Sequence, residues 1–245
     1  MLSCKMITHG RVHLLEEALN SFLLQNDPED TELVIVNDYP HQFLIFDHPR
    51  VKIYNMETIF PSIGQKENYA LELCSGDTFV VWDDDDLAMP NHLNNIRKFF
   101  VPGSNLMHWN RAVFYNEPVI SAITGVGNSG IVYSKDAWLK IGKTPIENAG
   151  YDLNLVSKIR DLDPSKVIHA DPPDNEVSWW YRWATPQNYH QSGMGTDTPD
   201  RKNVVLRNYE YVESQRKFGK IPVGDIYLKP HYRFDYPKIL KDYVS

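Results

Sequence analysis

Four consecutive carboxylates, Asp83, Asp84, Asp85 and Asp86, follow directly on the apolar run Phe79-Val80-Val81-Trp82. Side by side at the end of a buried strand they repel one another, and something must offset that repulsion. Hard carboxylate oxygens suit Mg²⁺ or Mn²⁺; magnesium is usually held by one or two protein carboxylates, with water and phosphate oxygens completing its shell. An EF-hand calcium loop is excluded, because its glycine and distal glutamate are missing at the required spacings. A solvated acidic loop is the simpler alternative. Against it, the run is pinned by a strand before it, and Pro90 opens the next helix just after it.

The elements that must hold these groups can be read from the periodicity. Residues 2–7 and 32–36 are apolar, β-branched runs of strand length, and 50–54 is a third. Val12, Leu15, Leu19, Phe22 and Leu23 recur at helical spacing, with Glu16 and Glu17 on the polar side. Residues 63–73 alternate at helical period and stop at Ser75-Gly76, and residues 78–82 form a strand that runs into the four aspartates. Strands alternating with helices predict an α/β fold, a mainly parallel central sheet flanked by helices. Ligands of such sheets sit beyond the carboxyl ends of the strands, where Asp38 and Asp83–Asp86 both fall. After residue 102 the pattern is less regular: strands are expected at 106–114 and 130–134, and helices at 135–141, 152–160 and 204–218. No repeat or low-complexity tract divides the chain, so a single domain over 1–245 is expected.

Composition narrows the class. The 245 residues include 25 Lys+Arg and 32 Asp+Glu, a net charge of −7, with 42% hydrophobic and 23% charged residues. That balance excludes disordered, collagen-like and disulfide-scaffold chains. No run of 18 apolar residues is present, and the N-terminal apolar stretch is too short for a secretory signal. Cys4 and Cys74 lie in apolar segments, as reduced buried thiols do. A cytoplasmic protein is expected. The charge is unevenly spread: residues 201–245 carry ten Lys+Arg against five Asp+Glu, leaving a net −12 on residues 1–200.

Trp82-Asp83-Asp84-Asp85-Asp86 with Pro90 and Leu93 resembles the "LDxDD…P…L" block of family 2 glycosyltransferases of the GT-A fold. Three upstream blocks agree in order: Thr8-His9-Gly10-Arg11 resembles "TxNR", Val34-Ile35-Val36-Asn37-Asp38 resembles "VIVDD", and Gly64-Gln65-Lys66-Glu67-Asn68 with Ala70 and Gly76-Asp77 resembles "GxxxARNxG…A.GDY". Asn37 replaces the first acid of its pair, and Glu67 stands where arginine is usual. The resemblance covers about residues 1–100. It implies a nucleotide-sugar donor, with UDP favoured, and a Mn²⁺ or Mg²⁺ cofactor. Residues 1–102 would then form the nucleotide-sugar half, 103–200 the acceptor and catalytic half, and 201–245 a basic, aromatic extension. Asp38 would bind the base, Asp83 ribose or metal-bound water, and Asp85 the metal, with Asp83 also a candidate ligand. Asp86 would help hold the loop or orient sugar hydroxyls, and Asp84 would also bind the donor. Thr8, Arg11 and Lys66 would face base or phosphate.

An inverting transfer also needs a carboxylate to take the acceptor's proton. The family's "ED…DL" block is only partly matched by residues 147–153, which makes Asp152 the candidate base and Glu147 the reserve; Asp152 could instead cap the following helix. Trp179, Tyr181 and Trp183 offer aromatic faces for an acceptor, although alternation would send residues such as Trp180 into the core. GT-A enzymes often complete the metal shell with a late histidine, here His190 or, in competition, His169. The acceptor is either a glycan or a nucleic acid, for example hydroxymethylated bases of phage-type DNA, which the basic extension would suit. A nucleotidyltransferase of similar fold and a non-catalytic carbohydrate- or nucleic-acid-binding module are the rival readings. The first lacks its usual Gly-rich, Lys-containing loop.

Overall fold

Seven consecutive buried residues, Leu2–Thr8, form β1, and seven more, Thr31–Asn37, form β2 after helix α1 (Val12–Leu23). Burial of every side chain along a strand requires cover on both faces of the sheet. The structure, a computed structural model, describes residues 1–114, 119–122, 130–148, 150–182 and 201–244. The first half continues with β3 (Gln42–Ile45), β4 (Val51–Asn55), α2 (Ile63–Leu73), β5 (Thr78–Val81), β6 (Leu87–Ala88) and α3 (His92–Phe99). Ser62 caps α2 by accepting from the Gln65 amide at 3.1 Å, as N-cap serines do.

The second half adds β7 (Leu106–Trp109), β8 (Arg111–Phe114), β9 (Val119–Ala122), β10 (Val132–Ser134), α4 (Lys135–Lys140) and α5 (Tyr151–Leu162). It closes with β11 (Val167–Ala170), β12 (Trp179–Tyr181), α6 (Arg201–Lys217), β13 (Gly224–Tyr227) and α7 (Tyr236–Val244). Among the described residues the main sheet has the order β11-β7-β10-β5-β1-β2-β4. All its pairings are parallel except those of β10, which runs antiparallel to both β5 and β7. The chain winds from β1 out through β2 to β4, then returns to place β5 on the other side of β1. Beyond the carboxyl ends of β1 and β5 the strand order therefore reverses, which opens a crevice for a ligand.

One core cluster packs α1 and α3 on one face through Leu15, Leu19, Phe22, Leu93 and Ile96. Another packs α2, α4 and α5 on the opposite face through Leu71, Trp138, Leu155 and Ile159. A smaller sheet, β6-β12-β8-β9, sits beside the main one, and β3 pairs with β13 as a two-stranded ribbon.

The structure departs from the periodicity at several places. Residues 106–114 do not form one strand: the chain breaks at Asn110, whose amide donates to the Ala170 carbonyl at 2.8 Å, and β7 and β8 join different sheets. Glu17 lies on the expected polar side of α1, yet it is fully buried. Part of the C-terminal extension is integral to the fold, since Leu228 and Tyr236 are core residues.

Candidate active site

Gly10 has a φ of +73° and turns the chain out of β1, a conformation that glycine adopts without steric cost. The turn carries Arg11 to the acidic segment after β5. The Arg11 guanidinium donates through Nε to Asp84 at 3.1 Å and through Nη1 to Asp85 at 2.8 Å, and Nη2 makes a further, very short contact with Asp84. Burial and the neighbouring Asp85 raise the pKa of Asp84, against the opposing pull of Arg11. Asp86 is pushed well above the usual carboxylate range by burial, then by Asp85 and Asp83. Burial and mutual repulsion thus make the charged forms of Asp84 and Asp86 costly.

Asp86 is fixed by two donors, Trp179 Nε1 at 3.2 Å and the Arg182 amide at 2.9 Å. β12 positions both, because it pairs antiparallel with β6 immediately after the turn. The same strand presents Tyr181, whose phenol is held far above its ordinary pKa by burial and then by Asp86, Asp85, Asp83 and Asp152. Asp152, near the start of α5, thus lies within electrostatic reach of the same hydroxyl as the acidic turn. It does not cap that helix: the N-cap is Gly150, in the left-handed region, without a side-chain hydrogen bond.

Asp38 follows β2 and is wholly buried. Lys66 Nζ donates to Asp38 Oδ1 at 2.6 Å and to the Thr8 carbonyl at 2.6 Å. His9 Nδ1 lies 2.8 Å from the same carboxylate oxygen, and the Phe60 amide donates to Oδ2 at 3.3 Å. Burial alone would raise the Asp38 pKa; Lys66 and His9 reverse that and bring it down to about 2. Helix α6 covers this cluster. Tyr209 lies 4.4 Å from the His9 ring, and Val212 packs on Gly10, where a Cβ would come within 2.8 Å of it.

The structure thus brings together Arg11, Asp84 and Asp85 in one group, Thr8, Asp38 and Lys66 in a second, and Trp179, Tyr181, Asp83, Asp86 and Asp152 around the first. Glu147 is exposed and accepts a hydrogen bond from Asn154 at 2.8 Å. His169 sits on β11, an edge strand of the sheet, its ring stacked 5.7 Å from His108. Trp180 is a core residue, 5.1 Å from Tyr236. His190 and Trp183 lie outside the described residues. Among the described residues no three His, Cys, Asp or Glu side chains are already gathered as a cation cage.

Several site residues escape the periodicity. His9 partners Asp38, Glu67 forms a buried ion pair with Lys5, and Arg182 donates through Nε to the Asp85 carbonyl. Lys5 could have been noticed as a charge inside an apolar strand, where a buried partner is required.

Residues 3–118 match the sequence model of the family described as Glycosyl transferase family 2. The first half of the chain thus matches glycosyl transferase family 2. Solved structures agree with the fold described above. TarS 1–349 of S. aureus in complex with UDP-GlcNAc superposes with a TM-score of 0.61 at 16% identity, over 86% of this chain and 66% of that one. The mannosyltransferase PcManGT from Pyrobaculum calidifontis, in complex with GDP-Man and Mn²⁺, gives 0.55 at 14% identity, over 89% and 71%. GalNAc-T7 with UDP, GalNAc and Mn²⁺ gives 0.58 at 11% identity, over 87% and 48%. At these identities the likeness is one of fold, the GT-A fold. The chain spans 60% of the length of TarS 1–349 in another of its structures. No curated protein sequence matches the chain. No helix among the described residues is long and apolar enough to cross a membrane.

Proposed function

We propose that the chain is a glycosyltransferase that moves a sugar from a nucleoside-diphosphate donor, with UDP favoured, to an acceptor hydroxyl with inversion at the anomeric carbon. The observation that carries this reading is the buried acidic turn after β5, gripped by Arg11 at Asp84 and Asp85 and by Trp179 and Arg182 at Asp86, with Asp152 among the carboxylates that act on Tyr181. A turn of adjacent carboxylates that repel one another suits a divalent cation that also meets a diphosphate, and a separate carboxylate suits a base. Complexes of similar structures with UDP-GlcNAc and with GDP-Man and Mn²⁺ support the donor class and the cofactor.

The donor set fits Mn²⁺ or Mg²⁺: Asp85 and Asp83 would hold the ion through hard oxygens, leaving positions for phosphate oxygens. Held there, such an ion would supply positive charge to offset that developing on the leaving diphosphate. Asp152 accepts the proton of the acceptor hydroxyl while its oxygen forms a bond to the anomeric carbon and the bond to the diphosphate breaks. The pair of electrons from that bond leaves on the diphosphate. Arg11 supplies a resident positive charge beside Asp84 and Asp85. Thr8, Asp38 and Lys66 receive the nucleoside under α6. Trp179 and Tyr181 line the acceptor side, for a glycan or a hydroxymethylated base of DNA.

A panel of nucleotide sugars tested for Mn²⁺-dependent thermal stabilisation identifies the donor. Asp85→Asn should abolish the Mn²⁺-dependent part of that stabilisation. Asp152→Asn should retain it while transfer falls by about 10²- to 10⁴-fold. Absence of stabilisation by any nucleoside diphosphate with Mn²⁺ refutes the reading, and release of pyrophosphate would make the chain a nucleotidyltransferase.

A further inference from the structure

Glu17 is a carboxylate in the middle of α1 with no solvent exposure, and its donors come from distant parts of the chain. Arg182 Nη1 donates to Oε2 at 2.5 Å. Arg233 donates to the same oxygen through Nε at 2.9 Å and Nη2 at 2.7 Å, and its backbone amide donates to Oε1 at 2.9 Å. Tyr236 donates its hydroxyl to Oε1 at 2.9 Å. Removing a carboxylate of this kind from water is favourable only when such bonds are complete.

Arg182 faces the other way as well. Its Nε donates to the Asp85 carbonyl and its backbone amide to Asp86 Oδ1, so one residue grips the acidic turn at two consecutive positions. The residue is 1% exposed, which leaves its guanidinium no solvent to turn towards. Tyr236 also packs edge-on against Trp180 of β12, the strand that pairs with β6 beyond the turn.

We propose that Arg182 is a positioning residue for the acidic turn, and that the segment Arg233–Tyr236 sets it through Glu17. This rests on the turn being the cation and donor site of the transferase. The carboxylate fixes one end of the guanidinium, so the other end holds the Asp85 carbonyl and fixes the direction in which the Asp85 side chain leaves the turn. Arg233 and Tyr236 act on the turn through Glu17 and β12. Outer groups that orient ligands in this way typically carry 10- to 100-fold in metal affinity or activity.

The test compares wild type, Arg182→Gln and the double variant Arg233→Gln/Tyr236→Phe by hydrogen–deuterium exchange and by Mn²⁺ titration in the presence of UDP. Both variants should speed amide exchange in residues 83–88 by about tenfold, while β1 and β2 keep wild-type protection. Both should weaken the apparent Mn²⁺ affinity by about tenfold, and Arg182→Lys, which can reach only one of its two sides, should not restore it. If Arg182→Gln does not fold, the double variant, which leaves Arg182 in place, decides between the outcomes by itself. Unchanged exchange at 83–88 in the double variant overturns the proposal. Wild type that binds neither Mn²⁺ nor UDP would instead overturn the glycosyltransferase reading, while the exchange result would still report on the network.

Discussion

The buried trio of Asp38, Lys66 and His9 allows a quantitative test. Asp38 falls from an ordinary 3.8 to about 2 in the folded chain. A group whose folded pKa is depressed adds stability that is complete above its unfolded pKa and is lost as pH falls through its folded value. Here that contribution is about 2–3 kcal/mol, present above pH 4 and lost towards pH 2. Lys66→Met removes the ammonium that lies 2.6 Å from the carboxylate and leaves a buried charge with only His9 and one amide to answer it. The expected loss at pH 7 is about 3–5 kcal/mol, larger than the linkage contribution because the stranded carboxylate also costs desolvation. Asp38→Asn strands the lysine in the same way. The double variant Asp38→Asn/Lys66→Met strands neither and should cost less than the sum of the single variants by about 2 kcal/mol or more. Urea denaturation at pH 7 measures all four proteins. Additive losses, within about 0.5 kcal/mol, would show that the pair is not coupled and refute the reasoning.

Three further outcomes follow from the structure. Gly64→Ala should destabilise the chain by about 2 kcal/mol or more in urea denaturation, although alanine is the better helix former. A Cβ there would lie 2.0 Å from the Pro145 carbonyl oxygen, so stabilisation by this change would contradict the packing of the loop on α2. Burial lowers His92 to about 3, and burial with the charges of His169 and Arg160 lowers His108 to about 4. As pH falls below about 6.5 the unfolded chain takes up protons that these folded histidines refuse. Their stability contribution, complete above that pH, is then lost at up to about 1.4 kcal/mol per pH unit each until pH 4 for His108 and pH 3 for His92. Replacing His92 with Gln should make the pH 6 to 4.5 stability profile shallower by about that slope; an unchanged profile would show that the imidazole protonates in the fold.

Much of the first half was legible in the sequence because its signals are local. The helical pattern of residues 63–73 coincides with α2, and the run before the four aspartates coincides with β5 apart from its last residue. In the second half the strands are three or four residues long, and pairing rather than pattern makes them: β12 exists through β6 and β8, and β13 through β3. Asp38, Lys66, Arg11 and the acidic turn could be found because each stands at a strand end or on a recognisable block. Glu17 could not. It sits where an amphipathic helix shows its solvent side, and its burial is decided by Arg233 and Tyr236, more than 200 residues further on. Arg182 was hidden among aromatic residues for the same reason, its partners being distant in sequence.

The cover that α6 lays over His9 and Gly10 bears on kinetics as well as on shape. If the nucleoside binds at Asp38 as proposed, it must displace Tyr209 from the face of His9, and a covered and an open form would then compete. The measured donor affinity would then be the intrinsic affinity multiplied by the fraction of molecules already open. Weakening the hold of Val212 on Gly10 would raise that fraction and tighten donor binding without altering any group that touches the donor. At high donor concentration the rate of binding would level off at the rate at which α6 lifts.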